Sequence, residues 1–330
     1  MPRIGINPAR GKLSDYRPSR VTLAMLTHIP DQSGYFAKRF EVMRLSLESM
    51  IANSPAGTDV LVFDNGSCKE VVDYLRAMRD AGKVQYLLLS SRNVGKIGAF
   101  QILFRAAPGE IVAYSDDDIL FLPGWLDESL KIMDGFPKVG MVSGYYLRTQ
   151  MRHATDSTLR YIEGSDVAVE RGSLITREWE LHYIENYGRT AEQYEEYVAG
   201  IDDIMIARNG ARAFVSATHM QFLIPKRVIL DALPREWGGQ LMGQMRELDI
   251  EVDHLGYLRL STSERVTRFL GNAISAENAS LAQSFGLQAS VSSQGPRSGK
   301  ILARLNRSKP FHYLFQGLYN RLYAVINSQD

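Results

Sequence analysis

The sequence predicts an α/β fold with a mostly parallel central sheet flanked by helices, and three observations lead there. Short apolar runs at 21–27 (VTLAMLT), 59–63 (DVLVF), 84–89 (VQYLLL) and 111–114 (IVAY) read as buried strands. Between them apolar residues recur at helical spacing, as Phe40, Met43, Leu47, Met50 and Ile51, then Val71, Tyr74, Leu75 and Met78, then Ile97, Phe100 and Phe104. Each crossover is long enough to return a strand parallel to the last, so a β-α-β-α-β-α-β order follows.

The elements are punctuated as such an order requires. Residues 1–20 carry prolines and basic residues without apolar periodicity and read as an irregular arm. The first helix is expected over 38–52, the second stops at Gly82, and the third stops at Pro108-Gly109.

The fourth strand runs directly into Asp116, Asp117 and Asp118, and Pro123-Gly124 then ends the stretch. Acids at the end of a buried strand are costly unless a cation or hydrogen-bond donors neutralise them. In open α/β sheets ligands bind outside the carboxyl ends of the strands, where these acids fall. Oxygen ligands of this kind suit Mg²⁺ or Mn²⁺, completed by water and substrate phosphates. The alternative is a solvated acidic turn. Thr27-His28, Asp64-Asn65 and Arg92-Asn93 end the other three strands. Asp64 alone could be a helix cap, but four polar clusters on one edge suit a ligand cleft better.

Glycine placement argues against a dinucleotide fold. The first strand is followed by THIPDQSGYF, with one glycine where G-x-G-x-x-G is needed, and no P-loop occurs. A nucleotide's phosphates would then be handled through a metal on the aspartates.

With 330 residues, 45% of them hydrophobic and 23% charged, the composition is that of a globular protein. A formal charge of +1 gives no argument for nucleic acid as a partner. Cys68 is the single cysteine, which excludes an internal disulfide and gives little support to zinc. There is no run of 18 apolar residues, and MPRIGINPAR has no apolar signal core, so a cytoplasmic location is expected.

The first strand, VFDNGS, RNVGKIGAF and GEIVAYSDDDILFLPGWL, in this order and spacing, resemble the nucleotide-sugar half of family-2 glycosyltransferases of the GT-A fold, over about 21–147. The resemblance implies a Rossmann-like GT-A domain. It also implies metal-dependent, inverting transfer of a sugar from a nucleotide-diphosphate donor to a glycan or other hydroxyl acceptor, with Mn²⁺ or Mg²⁺ as cofactor. Residue by residue, it sets Thr27 and Asp64 against the nucleoside base and Asn93 with Lys96 against base and ribose. Asp116 would hydrogen-bond the ribose and share in holding the metal, Asp118 would ligate the metal bridging the diphosphate, and Asp117 could face either way.

The remainder, 148–270, would be the acceptor half of a domain spanning 21–270. Residues 139–147 read as a strand, 148–200 as a polar, tyrosine-rich insertion, and 213–224 as one strand-like run carrying His219. That histidine is either a satisfied core residue or a group beside the donor sugar or metal. Leu241, Met245, Leu248, Val252 and Leu255 form a stripe, so a helix is expected over 239–255, followed by a strand at 257–262. Relatives open a helix so placed with Glu-Asp, whose acid is the catalytic base. Here the nearest match is Glu247-Leu248-Asp249. At about 100° per residue Asp249 borders the apolar stripe and Glu247 lies on the other side, which makes Asp249 the better candidate base. The alternative is an ordinary exposed helix acid, and Asp202-Asp203 is the competing pair. Arg268-Phe269-Leu270 stands near where many relatives carry a metal-binding histidine, which leaves the last metal ligand open.

From 271 the composition shifts to a linker-like stretch at 273–299. A basic, amphipathic tail follows, with Arg304, Arg307 and Lys309 among Leu302, Leu305 and Phe311. Such an extension, read as helical, could pack on its own domain, on a second copy or on an anionic membrane at the inner face. Two other functions remain open. A nucleotidyltransferase would share the nucleotide half but normally has a glycine-rich basic opening that is not seen here. A binding protein without a catalytic base would fit the missing Glu-Asp.

Overall fold

A computed structural model describes residues 5–186, 190–236 and 238–292. The basic tail lies outside the described residues. Four parallel strands form the first half of the sheet: β1 (Val21–Thr27), β2 (Asp59–Asn65), β3 (Tyr86–Ser90) and β4 (Ile111–Asp116). The crossovers are α1 (Arg39–Ala52), α2 (Lys69–Asp80) and α3 (Lys96–Ala106). All seven residues of β1 are buried because helices cover both its faces.

The chain then makes β5 (Ile119–Phe121), α4 (Trp125–Gly135), β6 (Val139–Ser143), α5 (Asp156–Glu163) and β7 (Ala168–Gly172). Helices α6 (Arg177–Asn186) and α7 (Ala191–Val198) lead to β8 (Asp203–Arg208), β9 (Ala211–Val215) and β10 (Gln221–Pro225). The last described elements are α8 (Lys226–Ala232), α9 (Met245–His254), β11 (Leu258–Thr262), β12 (Thr267–Phe269) and α10 (Ala276–Ser284).

The large sheet has ten strands in the order β3-β2-β1-β4-β10-β6-β11-β9-β8-β7, and β12 pairs with β5 separately. Strands β10, β9 and β7 run against the other seven. The sheet is therefore mostly parallel and flanked by helices, as the α/β, GT-A-type reading expects.

Alternation along the strands divides the core into two layers. Leu23, Met25, Val60 and Val62 face Met43 and Leu47 of α1 and Val71 and Leu75 of α2. Ala24, Leu61, Phe63 and Tyr114 face Phe100 and Phe104 of α3, Ile229 of α8 and Val252 of α9. Phe100 and Tyr114 meet edge to face with centroids 4.6 Å apart, so truncating Phe100 to alanine should cost about 3–5 kcal/mol.

Four boundaries differ from expectation, each for a physical reason. The run 213–224 is two strands, because Ser216, at φ +88°, turns the chain out of β9 before β10 re-enters beside β4. Helix α9 begins at Met245 and not at 239, since Gly239, Gly243 and Gln244 all have positive φ and Leu241 is 57% exposed. Strand β6 ends at Ser143, and Tyr145, Tyr146 and Leu147 enter a separate cluster with Trp179 and Phe214. Packing does not end at residue 270. Ala279 and Ala282 of α10 are buried with Leu270 and Ile274 against Val42 and Leu45 of α1, so the compact body runs through Val291.

Candidate active site at the carboxyl edge of the sheet

The parallel pairing of β1, β2, β3 and β4 brings Thr27, Asp64, the loop carrying Asn93, and Asp116 to one edge. The loops after β2 and β3 are locked together there. Asn65 Nδ2 donates to Asn93 Oδ1 at 2.9 Å, while Asn65 Oδ1 accepts from Val94 N at 2.8 Å. A glycine is needed at 95, where φ is +75° and a Cβ would stand 2.2 Å from the carbonyl oxygen of Gln240. Residues 240 and 241 therefore lie close against the start of α3, where Lys96 N donates to Leu241 O at 3.1 Å. Asp64 is buried, accepts weakly from Ser67 N at 3.3 Å, and has its carboxyl pushed up by burial.

The three aspartates have different partners. Lys96 Nζ donates to both oxygens of Asp116, at 2.7 and 2.8 Å, and the Tyr114 hydroxyl donates to one of them. Burial and the adjoining Asp116 hold the Tyr114 phenol well above its ordinary range. Asp117 accepts from Thr27 Oγ1 and from Arg39 Nη2. Asp118 Oδ2 accepts from Arg39 Nη1 at 2.9 Å, and the same guanidinium nitrogen reaches the Gly271 carbonyl at 3.0 Å. Burial disfavours a charged Arg39, but Asp117 and Asp118 outweigh it and hold the guanidinium protonated. Burial pushes the Asp118 carboxyl up to about 7 against the opposing pull of Arg39, with Asp116 and Asp117 adding to the rise.

Asp118 Oδ1 is buried with no partner among the described residues. Among the described residues no group of three His, Cys, Asp or Glu side chains forms a ready-made metal cluster. The donor set nevertheless fits Mg²⁺ or Mn²⁺, which anchor on one or two carboxylates and complete their shell with water and phosphate oxygens. Asp118 offers an open lone pair, whereas both oxygens of Asp116 are engaged by Lys96.

On the other side of β4 the loop before β10 returns to the same edge, with Asp116 N donating to Met220 O at 2.8 Å. His219 is there, and its Nδ1 stands 2.8 Å from Asp249 Oδ2. The Asp249 side chain is 0% exposed, so it does not line the cleft surface expected of a base that touches an acceptor. Arg259 Nη2 lies 2.8 Å from Asp249 Oδ1 as an ion pair, while its Nη1 and Nη2 donate to the carbonyls of Ala154 and Ala217. Glu247 is exposed on the far side of α9. Asp203, of the competing pair, is fully buried and accepts from Arg148, Tyr146 and the backbone of Leu174, which hold its carboxyl low against burial. Asp202 is exposed. Arg268 pairs with Glu277 and Glu178 on the rim of a cavity of about 540 Å³ lined also by Trp179, Met205, Phe214 and Arg265.

Sequence reasoning put Asn65 on the cleft edge without a role of its own, and it missed Arg39 and Arg259. Both of the latter had a signal. Arg39 lies one and two helical turns before Met43 and Leu47, on the buried stripe, and Arg259 alternates with Leu258 and Leu260 in a strand covered on both faces.

Such a sheet, with acids, a lysine and paired asparagines at its carboxyl edge, is of the open α/β class that takes its ligands at that edge. The chain belongs to glycosyl transferase family 2, whose sequence profile matches residues 36–209. An uncharacterized glycosyltransferase of Nostoc sp. is 24% identical over 128 residues, 39% of this chain and 35% of its own length. A Pyrobaculum calidifontis mannosyltransferase solved with GDP-Man and Mn²⁺ is 16% identical over 77% of this chain and 57% of its own, with a TM-score of 0.44. Residues 1–349 of S. aureus TarS are 12% identical over 76% of this chain and 59% of their own, also at 0.44. The chain thus spans about a third of that curated relative and under two thirds of these solved chains.

Proposed function

We propose that the protein transfers a sugar, with inversion, from a nucleoside-diphosphate donor to a hydroxyl acceptor with the help of Mn²⁺ or Mg²⁺. The observation that carries this reading is Asp118: a strand-end carboxylate, its side chain 14% exposed, with one oxygen fixed by Arg39 and the other buried and unpartnered among the described residues. A divalent ion there would neutralise charge on the departing diphosphate. Asp64, Asn93, Lys96 and Asp116 would receive the nucleoside, with Lys96 holding Asp116 in place to accept from ribose hydroxyls. Thr27 would act by fixing Asp117. The cavity beside Trp179 and Arg265 would take the acceptor. Its position supports this, since Leu122, four residues beyond Asp118, lines it.

The test is a thermal-shift screen of nucleotide sugars with and without Mn²⁺, followed by product analysis of each stabilising donor. A ligand bound only by the native state raises its stability. Metal-dependent stabilisation with release of nucleoside diphosphate supports transfer. Pyrophosphate would replace the proposal by nucleotidyl transfer, and stabilisation without any turnover would reduce it to binding.

A further inference from the structure

The strongest unassigned arrangement is the buried chain of contacts from Arg259 through Asp249 to His219. Asp249 and Arg259 are each 0% exposed, an expensive placement for two charges unless it sets the geometry of something else. What it sets is the imidazole. A carboxylate at 2.8 Å from Nδ1 makes that nitrogen the donor, which leaves Nε2 with its lone pair free. The His219 side chain is 28% exposed, and Nε2 has no hydrogen-bond partner among the described residues. Among the described residues His153 and Arg246 also stand near this chain, and burial, then Arg246, lower the His153 pKa.

His219 adjoins, through the next residue, both halves of the proposed site. Its neighbour Met220 accepts from Asp116 N and packs against the cluster of Trp179 and Phe214, which lines the acceptor cavity. We infer that His219 is the general base for transfer and that Asp249, backed by Arg259, is its positioning residue. The inference rests on the transfer reading above. As the acceptor oxygen bonds to the anomeric carbon and the bond from that carbon to the diphosphate oxygen breaks, the hydroxyl proton passes to His219 Nε2. It leaves later to solvent. Asp249 never touches the acceptor, which reconciles its burial with a role in catalysis.

The experiment uses the full chain and the donor identified by the thermal-shift screen, measuring nucleoside-diphosphate release with an alcohol and with 4-nitrophenol as acceptors. His219→Asn keeps a donor toward Asp249 but has no atom in place of Nε2. It should lower kcat with the alcohol by roughly 10²- to 10⁴-fold while donor Kd changes little. With the more acidic phenol, which needs less help losing its proton, the loss should shrink to within about tenfold. Asp249→Asn should show the same split, with KM for donor unchanged, and a structural role alone would not make the loss depend on the acceptor's acidity. If Asp249→Asn fails to fold, the partly exposed His219 site decides the matter alone. Turnover in His219→Asn within about threefold of the parent, or an equal loss with both acceptors, overturns the dyad. A parent that releases nucleoside diphosphate from no donor overturns the transfer reading, and this role with it.

Discussion

Arg39 Nη1 donates to Asp118 Oδ2 at 2.9 Å while Oδ1 of the same carboxylate is buried with no partner among the described residues. One oxygen is therefore fixed and the other kept open, the arrangement in which an outer partner orients a metal ligand. Asp118→Asn should weaken Mn²⁺-dependent binding of a nucleoside diphosphate by more than the roughly 10- to 100-fold that loss of an outer partner costs. Its fold should persist because a crowded charge is removed. The sign of the pH effect follows from the raised carboxyl: the parent loses stability as pH rises from the ordinary 3.8 through about 7, and the amide variant cannot. Its thermal advantage should therefore grow over that window. Calorimetric binding equal to the parent's would remove the metal assignment.

Arg39 itself is a stability residue of the site. Arg39→Ala leaves the buried Asp117 and the largely enclosed Asp118 without their cation, at a cost of about 3–5 kcal/mol. Adding Asp118→Asn should recover part of that loss, because the two changes share one interaction. Urea unfolding of the four members of the cycle tests this, and strict additivity would mean that the ion pair contributes nothing.

How far the sequence could be read follows from which contacts are local. Strand β1 and helix α1 were legible to within a residue because burial repeats along a single element. The edge carrying Asp64, Asn93 and Asp116 was legible because parallel crossovers return every strand in the same direction. Ser216 was not legible: its positive φ has no residue-type signature, and it divides an apolar run that composition alone joins. The start of α9 did have a signal, in Gly238, Gly239 and Gly243, but the apolar stripe outweighed it. Asp249 was placed on the correct helix face, yet its enclosure by Arg259 and His219 depends on partners 10 and 30 residues away.

Gly95 offers a test of how the proposed nucleoside rim is held. Gly95→Ala would put a Cβ 2.2 Å from the Gln240 carbonyl oxygen at a φ of +75°, a clash with backbone that should cost about 1–3 kcal/mol. Displacing the 240 loop also releases Lys96 N from Leu241 O. Donor affinity should fall several-fold, with a smaller effect on kcat at saturating donor. Unchanged Tm and donor Kd would show that the loop closes without this contact.

Asp203 should behave as a structural acid. It accepts from Arg148 Nε and Nη2 at 2.8 and 2.7 Å and is 0% exposed. Asp203→Asn leaves Arg148 buried with Glu180 as its remaining carboxylate, and the expected cost is about 3–5 kcal/mol. Nucleoside-diphosphate release per folded molecule should stay near the parent's. A Tm within a degree of the parent's together with lost turnover would instead return Asp203 to the catalytic machinery.

His182 on α6 gives the acid limb of stability a specific source. Burial, and then the nearby Arg265 and Arg268, push its pKa down from 6.5 to about 4, so the folded protein holds the ring neutral. Between those two values the unfolded chain binds the proton that the native state refuses. Stability from this residue is thus present above pH 6.5 and lost as pH falls toward about 4. At about 1.4 kcal/mol per unit, the full loss is of the order of 3 kcal/mol, or roughly 6–12 °C in Tm for a domain of a few hundred residues. His182→Gln carries no titrating proton, so scanning calorimetry at pH 7.5 and 4.5, at fixed ionic strength, should find a smaller Tm difference for the variant. Parallel losses in parent and variant would assign the acid limb to other groups, and His182 would then be protonated in the native state without penalty.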